Sequence, residues 1–286
     1  GGISVFLLLA FNKQFKLIEE LIPLITSDHL KLTPQTSQNL SGNVLLIVTS
    51  TQNVHLVSKF FAQGLLTAAS LAETYQRGEY AGTNTLWFLA SNKEFFLIEA
   101  LHKKGLLTSG IIASAAISGR FKGKSVLWHL AFHQAFSLLE DLFKAGLVTG
   151  EQLTAVSQAG EDEGKGILWL LVVNQQFSLV QKLFKSGFVT SGQLEESPTI
   201  GDDRGKNPVW VLVFMKQFFL LEELLIARCI TAAHLTARSQ AGSHAGTNAL
   251  WLLADSQQFN FIQKLFSVGL LTSAQLNASP QIDGVA

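Results

Sequence analysis

All five tryptophans of this chain, Trp87, Trp128, Trp169, Trp210 and Trp251, stand 41 residues apart. Phe95, Phe136, Phe177, Phe218 and Phe259 keep the same step, and so do Gly82, Gly123, Gly164, Gly205 and Gly246. Thr67, Thr108, Thr149, Thr190, Thr231 and Thr272 carry the register one unit further back. Four position types in one frame define a tandem array. In such arrays each unit buries its apolar face only against its neighbours.

The frame reaches back through a unit from Asn43 to Ala81, with Leu46 in place of Trp and Val54 in place of Phe. Before it, Val5 to Ala10 and Phe15 to Glu19 begin a shortened unit. Unit boundaries fall near 1–42, 43–81, 82–122, 123–163, 164–204, 205–245 and 246–286, which make one repeat domain of about seven units. Terminal units diverge where one face has no neighbour to cover. Pro280-Gln281-Ile282-Asp283-Gly284 stands where a further unit begins. The chain opens Gly1-Gly2-Ile3, without an initiator Met or a leader pattern, and reads as a piece of a longer protein.

Within a unit the spacing is helical. Leu86, Leu89 and Ala90 recur at i, i+3, i+4 behind an N-cap residue, Asn84, with Ser125, Asn207 and Asn248 as its equivalents and Gly166 as the weak member. Pro208 follows its cap at the first helical position, where the missing N–H costs nothing. A second helix is expected over 94–104, with Phe95, Ile98 and Leu101 as its stripe and Gly105 as a left-handed stop. Gly64, Gly146, Gly187 and Gly269 repeat that stop, whereas Arg228 breaks it and predicts a different terminus there. Thr149 with Gln152, Thr190 with Gln193 and Thr272 with Gln275 match a capping box, so a third, short helix follows. A polar, Gly-rich connector closes the unit. These helices are too short to stand alone, so stacking is expected to bury the Trp, Phe and Leu stripes as one core. The fold expected is an all-α solenoid.

Composition narrows the function. The 21 basic and 21 acidic side chains balance, which removes any electrostatic drive toward nucleic acid or an anionic membrane surface. No apolar run is long enough for a membrane span.

The helix pair resembles the ankyrin repeat. Asn207-Pro208-Val209-Trp210 stands where that family carries Thr-Pro-Leu-His, and Leu86 to Ala90, Leu97-Ile98, Leu101 and Gly105 follow its helix–turn–helix order. The likeness spans roughly 22 residues of each unit, set against the family's repeat of about 33. Trp replaces the family's His. Lys93-Glu94, Gln134-Ala135 and Gln176-Phe177 replace the Gly-His of its inter-helix turn, and the segment after Gly105 is longer and holds a helix instead of a β-turn finger. HEAT, armadillo and WD40 repeats share the period, but the first two need longer helices and the last needs strands. The resemblance implies a protein-binding scaffold, of a kind that in bacteria is often a secreted effector acting on host proteins.

Recurrent positions serve packing, so recognition is sought where units differ. One variable strip lies on the first helix, where His129, Phe132, His133, Phe214 and Met215 would form an apolar and imidazole patch; ordinary inter-repeat packing is the competing reading. The other strip is the connector before each Gly, with Tyr80 and Phe121 at exposed loop tips beside the acidic runs Glu161-Asp162-Glu163 and Asp202-Asp203, or else merely solvated tips. His129 and His133 at i, i+4 have no third ligand in register, Cys229 with His234 reads as packing, and no phosphate loop or nucleophile elbow is present. No catalytic residue, metal or cofactor is expected. The leading expectation is a non-enzymatic scaffold for a protein partner. The alternative is a targeting or regulatory segment of a larger enzyme.

Overall fold

The computed structural model describes residues 4–33 and 42–280, and every named element among them is helical. The expected start of a further unit at 281–284 lies outside the described residues. First helices of seven residues recur: Val5–Phe11, Val44–Ser50, Thr85–Ser91, Val126–Phe132, Ile167–Val173, Pro208–Phe214 and Ala249–Asp255. After the short Phe15–Glu20, second helices of nine residues follow: Val54–Ala62, Phe95–Lys103, Phe136–Lys144, Phe177–Lys185, Phe218–Ile226 and Phe259–Ser267. Third helices of four or five residues are Ser27–Leu30, Ala68–Ala72, Ser109–Ile112, Ser191–Glu195, Ala232–Thr236 and Ser273–Leu276; one unit has a 3-10 turn, Gln152–Thr154, instead.

The chain divides into two compact units, Gly1–Gln152 and Leu153–Ala286. In the first, Val5–Phe11 packs on Val44–Ser50, that helix on Thr85–Ser91, and that one on Val126–Phe132. In the second, Ile167–Val173 packs on Pro208–Phe214, and that helix on Ala249–Asp255. Consecutive stacking of helix pairs is the solenoid principle the period implies, and it holds inside each compact unit.

Four devices, three of side chains and one of backbone, make the stack. The N-cap Asn works at both ends of its amide. Asn84 Oδ1 accepts from the Trp87 N–H at 2.9 Å, and its Nδ2 donates to the Ile111 carbonyl of its own third helix at 2.8 Å. Asn207 and Asn248 repeat both bonds, and all three side chains are buried. Next, the indole Nε1–H crosses to the following unit: Trp87 donates to Lys124 O at 2.7 Å, Trp169 to Lys206 O at 2.8 Å and Trp210 to Thr247 O at 3.3 Å.

The third device is the capping-box side chain, which also reaches back one unit. Gln152 accepts from Thr149 N–H at 2.9 Å while its amide donates to Ser109 O at 2.7 Å. Gln275 does the same with Thr272 and Ala232 O, and His234 with Thr231 and Ser191 O. Because His234 Nδ1 accepts from Thr231 N–H, its Nε2 carries the proton that goes to Ser191.

The fourth device is the connector, which is more ordered than a polar linker. Four of them fold into a hairpin-like loop closed by two backbone bonds, as Tyr75 N to Thr83 O at 2.9 Å and Gly82 N to Tyr75 O at 2.8 Å, while the one at Pro198, which has no N–H, keeps only Gly205 N to Pro198 O. Successive loops join through Ile117 N to Ala81 O, Thr199 N to Glu163 O and Gln240 N to Arg204 O. The recurrent Gly is obligatory here: Gly82 has φ +86° and a Cβ on it would strike the Ala115 carbonyl of the next loop.

Three sequence expectations need correction. The recurrent Phe is not core: Phe95, Phe136, Phe177 and Phe218 are half-buried and Phe259 is 63% exposed, because the buried stripe runs through Leu97, Ile98 and Leu101 and leaves Phe95 at its edge. Arg228 does not change the helix terminus; it takes the left-handed turn itself at φ +58°, with Cys229 N bonding Leu224 O as Leu106 N bonds Leu101 O. The inter-helix turn of the 164–204 unit is centred on Gln175 (φ +59°), in register with Lys93 and Gln134, so it lies one residue before the pair Gln176-Phe177.

Candidate functional site

The end of each first helix, the left-handed turn and the start of the second helix bring side chains from both helices onto one edge. The turn is held by backbone bonds such as Lys93 N to Ala90 O and Glu94 N to Leu89 O. A non-Gly residue in this conformation costs about 1 kcal/mol, and Lys13, Gln52, Lys93, Gln134, Gln175, Lys216, Arg228 and Gln257 all adopt it.

In the first compact unit that edge carries a groove of about 270 Å³ lined by Phe95, Phe96, Gln134, Ala135, Phe136 and Leu138. Glu99 and Asp141 are the charged residues of its lining, each with a lysine near its carboxylate: Lys103 at 2.5 Å and Lys144 at 3.9 Å. Phe96 is 91% exposed, so its ring is in water beside the groove. His133 extends the aromatic surface, with its ring 6.4 Å from Phe95 and 5.1 Å from Phe132. Phe132 in turn stacks on Trp128 at 4.7 Å and 14°.

His129 does not belong to that surface. It is 4% exposed and presents its edge to Trp87 at 4.7 Å and Trp128 at 5.3 Å, so the expected surface role is corrected to an inter-repeat packing role. Its ring stacks on His133 at 5.9 Å and 16°. Among the described residues no cluster of three metal-ligating side chains occurs.

Tyr80 and Phe121 are not projecting tips either. Both are half-buried, stack on one another at 5.7 Å and 21°, and lie against Trp87 at 6.2 and 5.4 Å. Arg120 sits 4.8 Å over the Phe121 ring and pairs with Glu79 at 2.9 Å. The connector aromatics therefore roof the core Trp, and only their outer faces meet solvent. The acidic connectors pair locally, Asp162 with Lys165 at 2.8 Å and Asp203 with Lys206 at 2.9 Å.

In the second compact unit Phe214 is 42% exposed, stacks on Trp210 at 5.3 Å and meets His244 at 5.0 Å. Met215 beside it is half-buried, and across the turn Phe219 is 70% exposed. Phe96 and Phe219 escaped the sequence reading because they occupy the second residue of the second helix, where other units carry Ser137, Ser178 and Asn260.

Cys229 and His234 form no nucleophile–base pair: His234 is committed to Thr231 and Ser191, and burial pushes the Cys229 thiol above its usual range, away from thiolate. No helix among the described residues is long and apolar enough to cross a membrane. No family model, no curated protein and no solved structure matches this chain.

Proposed function

We propose that this chain is a protein-binding scaffold whose docking surface is the aromatic edge at the inter-helix turns. The observation that carries the reading is Phe96, 91% exposed beside a groove floored by Phe95, Phe136 and Leu138. Exposed aromatics over a concave apolar floor are the residues that anchor protein interfaces, and holding one in water otherwise gains nothing. Phe132 and His133 border this surface, while Phe214, Met215 and Phe219 form its counterpart in the second compact unit. The outer faces of Tyr80 and Phe121 are secondary.

The likeness to ankyrin repeats stays part of this reading. It is supported by the order of elements in the 82–122 unit: a short helix, a left-handed turn at Lys93, a second helix and a stop at Gly105 with φ +68°. Binding instead of catalysis is the accompanying proposal, in keeping with a site built of Phe, His and Gln side chains. A photo-reactive residue placed at position 137, exposed in the groove lining beside Phe96, tests it. The expected result is one captured protein, lost in Phe96→Asp plus Phe219→Asp and not captured from exposed position 104. Equal capture from both positions, or capture unchanged by the double substitution in a folded protein, would sink the reading.

A further inference from the structure

The fifth residue of one second helix faces the sixth residue of the next, and the two are complementary where they bond. Glu19 pairs with Lys59 and Glu222 with Lys264, while Gln181 Nε2 donates to Glu223 Oε2 at 2.8 Å. Lys185 gives Glu223 a second partner at 3.4 Å. Ser58 and Ala100 make the junction between the 43–81 and 82–122 units neutral.

The junction between the 82–122 and 123–163 units departs from this pattern. Its fifth residue is Glu99 and its sixth is Asp141, so two carboxylates occupy one rung of the ladder. Both line the groove beside Phe96, and no basic side chain lines it with them. Lys103 and Lys144 pair along their own helices, Lys103 with Glu99 at 2.5 Å and Lys144 with Glu140 at 3.1 Å and Asp141 at 3.9 Å, and lie outside the lining. Such exposed pairs contribute little. Glu99 and Asp141 stay 42% and 52% exposed.

Helix register gives the groove two unlike ends. Glu99 lies one turn beyond Phe95 and Phe96, and Asp141 one turn beyond Ser137 and Leu138. An apolar, aromatic end and an acidic end therefore stand about 5 Å apart along the helices. A cation entering the groove meets two carboxylates, and the face of an exposed Phe ring also attracts it. At the Phe219 edge the equivalent rung is Glu222 with Lys264, which is already paired.

We propose that the groove at Phe96 takes a segment of a partner protein that carries a basic side chain, Arg or Lys, close to an apolar one. The apolar side chain rests on Phe95, Phe136 and Leu138, and the cation lies between Glu99 and Asp141, completing the rung as Lys59 and Lys264 complete theirs. The inference rests on the docking role proposed for this edge and adds the chemistry of its occupant. The preference belongs to this edge alone, so the Phe219 edge takes a segment without the cation.

The test selects a random peptide library, displayed on phage, against the whole parent chain and discards clones that bind Phe96→Asp equally well. The clones that remain should be enriched in Lys or Arg close to an apolar residue. Synthetic peptides made from them, followed by fluorescence anisotropy, should bind Glu99→Gln plus Asp141→Asn about tenfold more weakly than the parent. Glu99→Lys plus Asp141→Lys should reverse the preference, favouring the same peptides with Glu at the basic position. Both positions are exposed, so circular dichroism of these variants should match the parent. Phe96-dependent peptides without basic enrichment, or with affinity unchanged in Glu99→Gln plus Asp141→Asn, overturn this inference and leave the groove as a docking surface. Recovery of no Phe96-dependent peptide overturns the docking reading, and this inference with it. Clones that depend on Phe219 should lack the enrichment; equal enrichment there would show that Glu99 and Asp141 do not set the preference.

Discussion

Glu196 fills the place that an N-cap side chain would take at Gly166: a Cβ on that glycine would collide with the Glu196 carboxyl. In the two units that follow, this space holds a buried Asn amide with both ends bonded, at Asn207 and Asn248. Here the buried Glu196 Oε2 has no hydrogen-bond partner, and burial pushes the carboxyl up to about 8.

The raised value fixes the direction of a pH effect. The carboxyl ionises near 4.5 when unfolded and near 8 when folded, so between these values the unfolded state alone releases the proton. Stability is full below about pH 4.5 and falls as pH rises toward 8. Thermal melts of the parent should decline from pH 6.5 to 8, above the range in which His234 titrates, and Glu196→Gln should flatten the decline. A parallel slope in the variant would remove the assignment. Gly166→Asn should destabilise by itself, whereas adding Glu196→Ala frees the space and should restore the cap, a gain of about 0.3 kcal/mol over Glu196→Ala alone.

Trp87 combines a packed ring, 1% exposed, with the Nε1–H bond to Lys124 O, and the two contributions separate by substitution. Trp87→Ala should cost roughly 3–5 kcal/mol by denaturant titration. Trp87→Phe retains most of the ring and removes one of two bonds to Lys124 O, which keeps the Ala116 N–H at 3.1 Å, a loss of about 0.5–1.5 kcal/mol. If Trp87→Phe proves neutral, the indole bond contributes nothing to the junction.

The sequence made the helices legible because their signals are local. Asn84 and Thr190 announce their helices within three residues, and Gly105 announces its stop. The connectors hid their order, since two backbone rungs and a loop-to-loop bond demand no side-chain pattern beyond one glycine. Periodicity also misled on Phe95: a fixed interval proves that units correspond, not which face a residue takes. The candidate surface was half visible. Phe132, His133, Phe214 and Met215 were in reach as variable positions, but Phe96 and Phe219 lie on the second helix, where recurrence of the neighbouring Phe masked the variation. Nothing near Gly166 in sequence names Glu196, because its occupant arrives from the third helix of the same unit.

Arg228 pays a backbone cost that Gly105, Gly146, Gly187 and Gly269 avoid at the same stop. Its φ of +58° is strained for a residue with a Cβ. Arg228→Gly should therefore stabilise the protein by about 0.5–1 kcal/mol, the relief of strain exceeding the added freedom of the unfolded chain. Chemical denaturation reads the change. A destabilised variant would mean that the Arg side chain holds contacts outweighing the strain.

His234 performs in its unit what Gln152 and Gln275 perform in theirs, but only while neutral. Burial holds its ring below the usual imidazole value of 6.5, against smaller opposing effects of the Ser191 bond and the Glu195 carboxylate 3.6 Å away. A protonated Nδ1 cannot accept from Thr231 N–H, so the ion would lose its cap. Above 6.5 both states are neutral and the full stability is present; as pH falls below that value the unfolded state takes the proton first, and stability is lost. The effect is opposite in sign to that of Glu196, so below pH 6.5 the two oppose one another in the parent, and the decline above 6.5 is left to Glu196. His234→Gln, which supplies the same two bonds without a titrating group, should gain stability relative to the parent as pH falls below 6.5. Hydrogen exchange at the Thr231 amide gives the local measure: it should quicken on acidification, beyond the intrinsic pH effect, in the parent and not in the variant. Equal protection in the two proteins across that range would show that His234 stays neutral and does not couple this junction to pH.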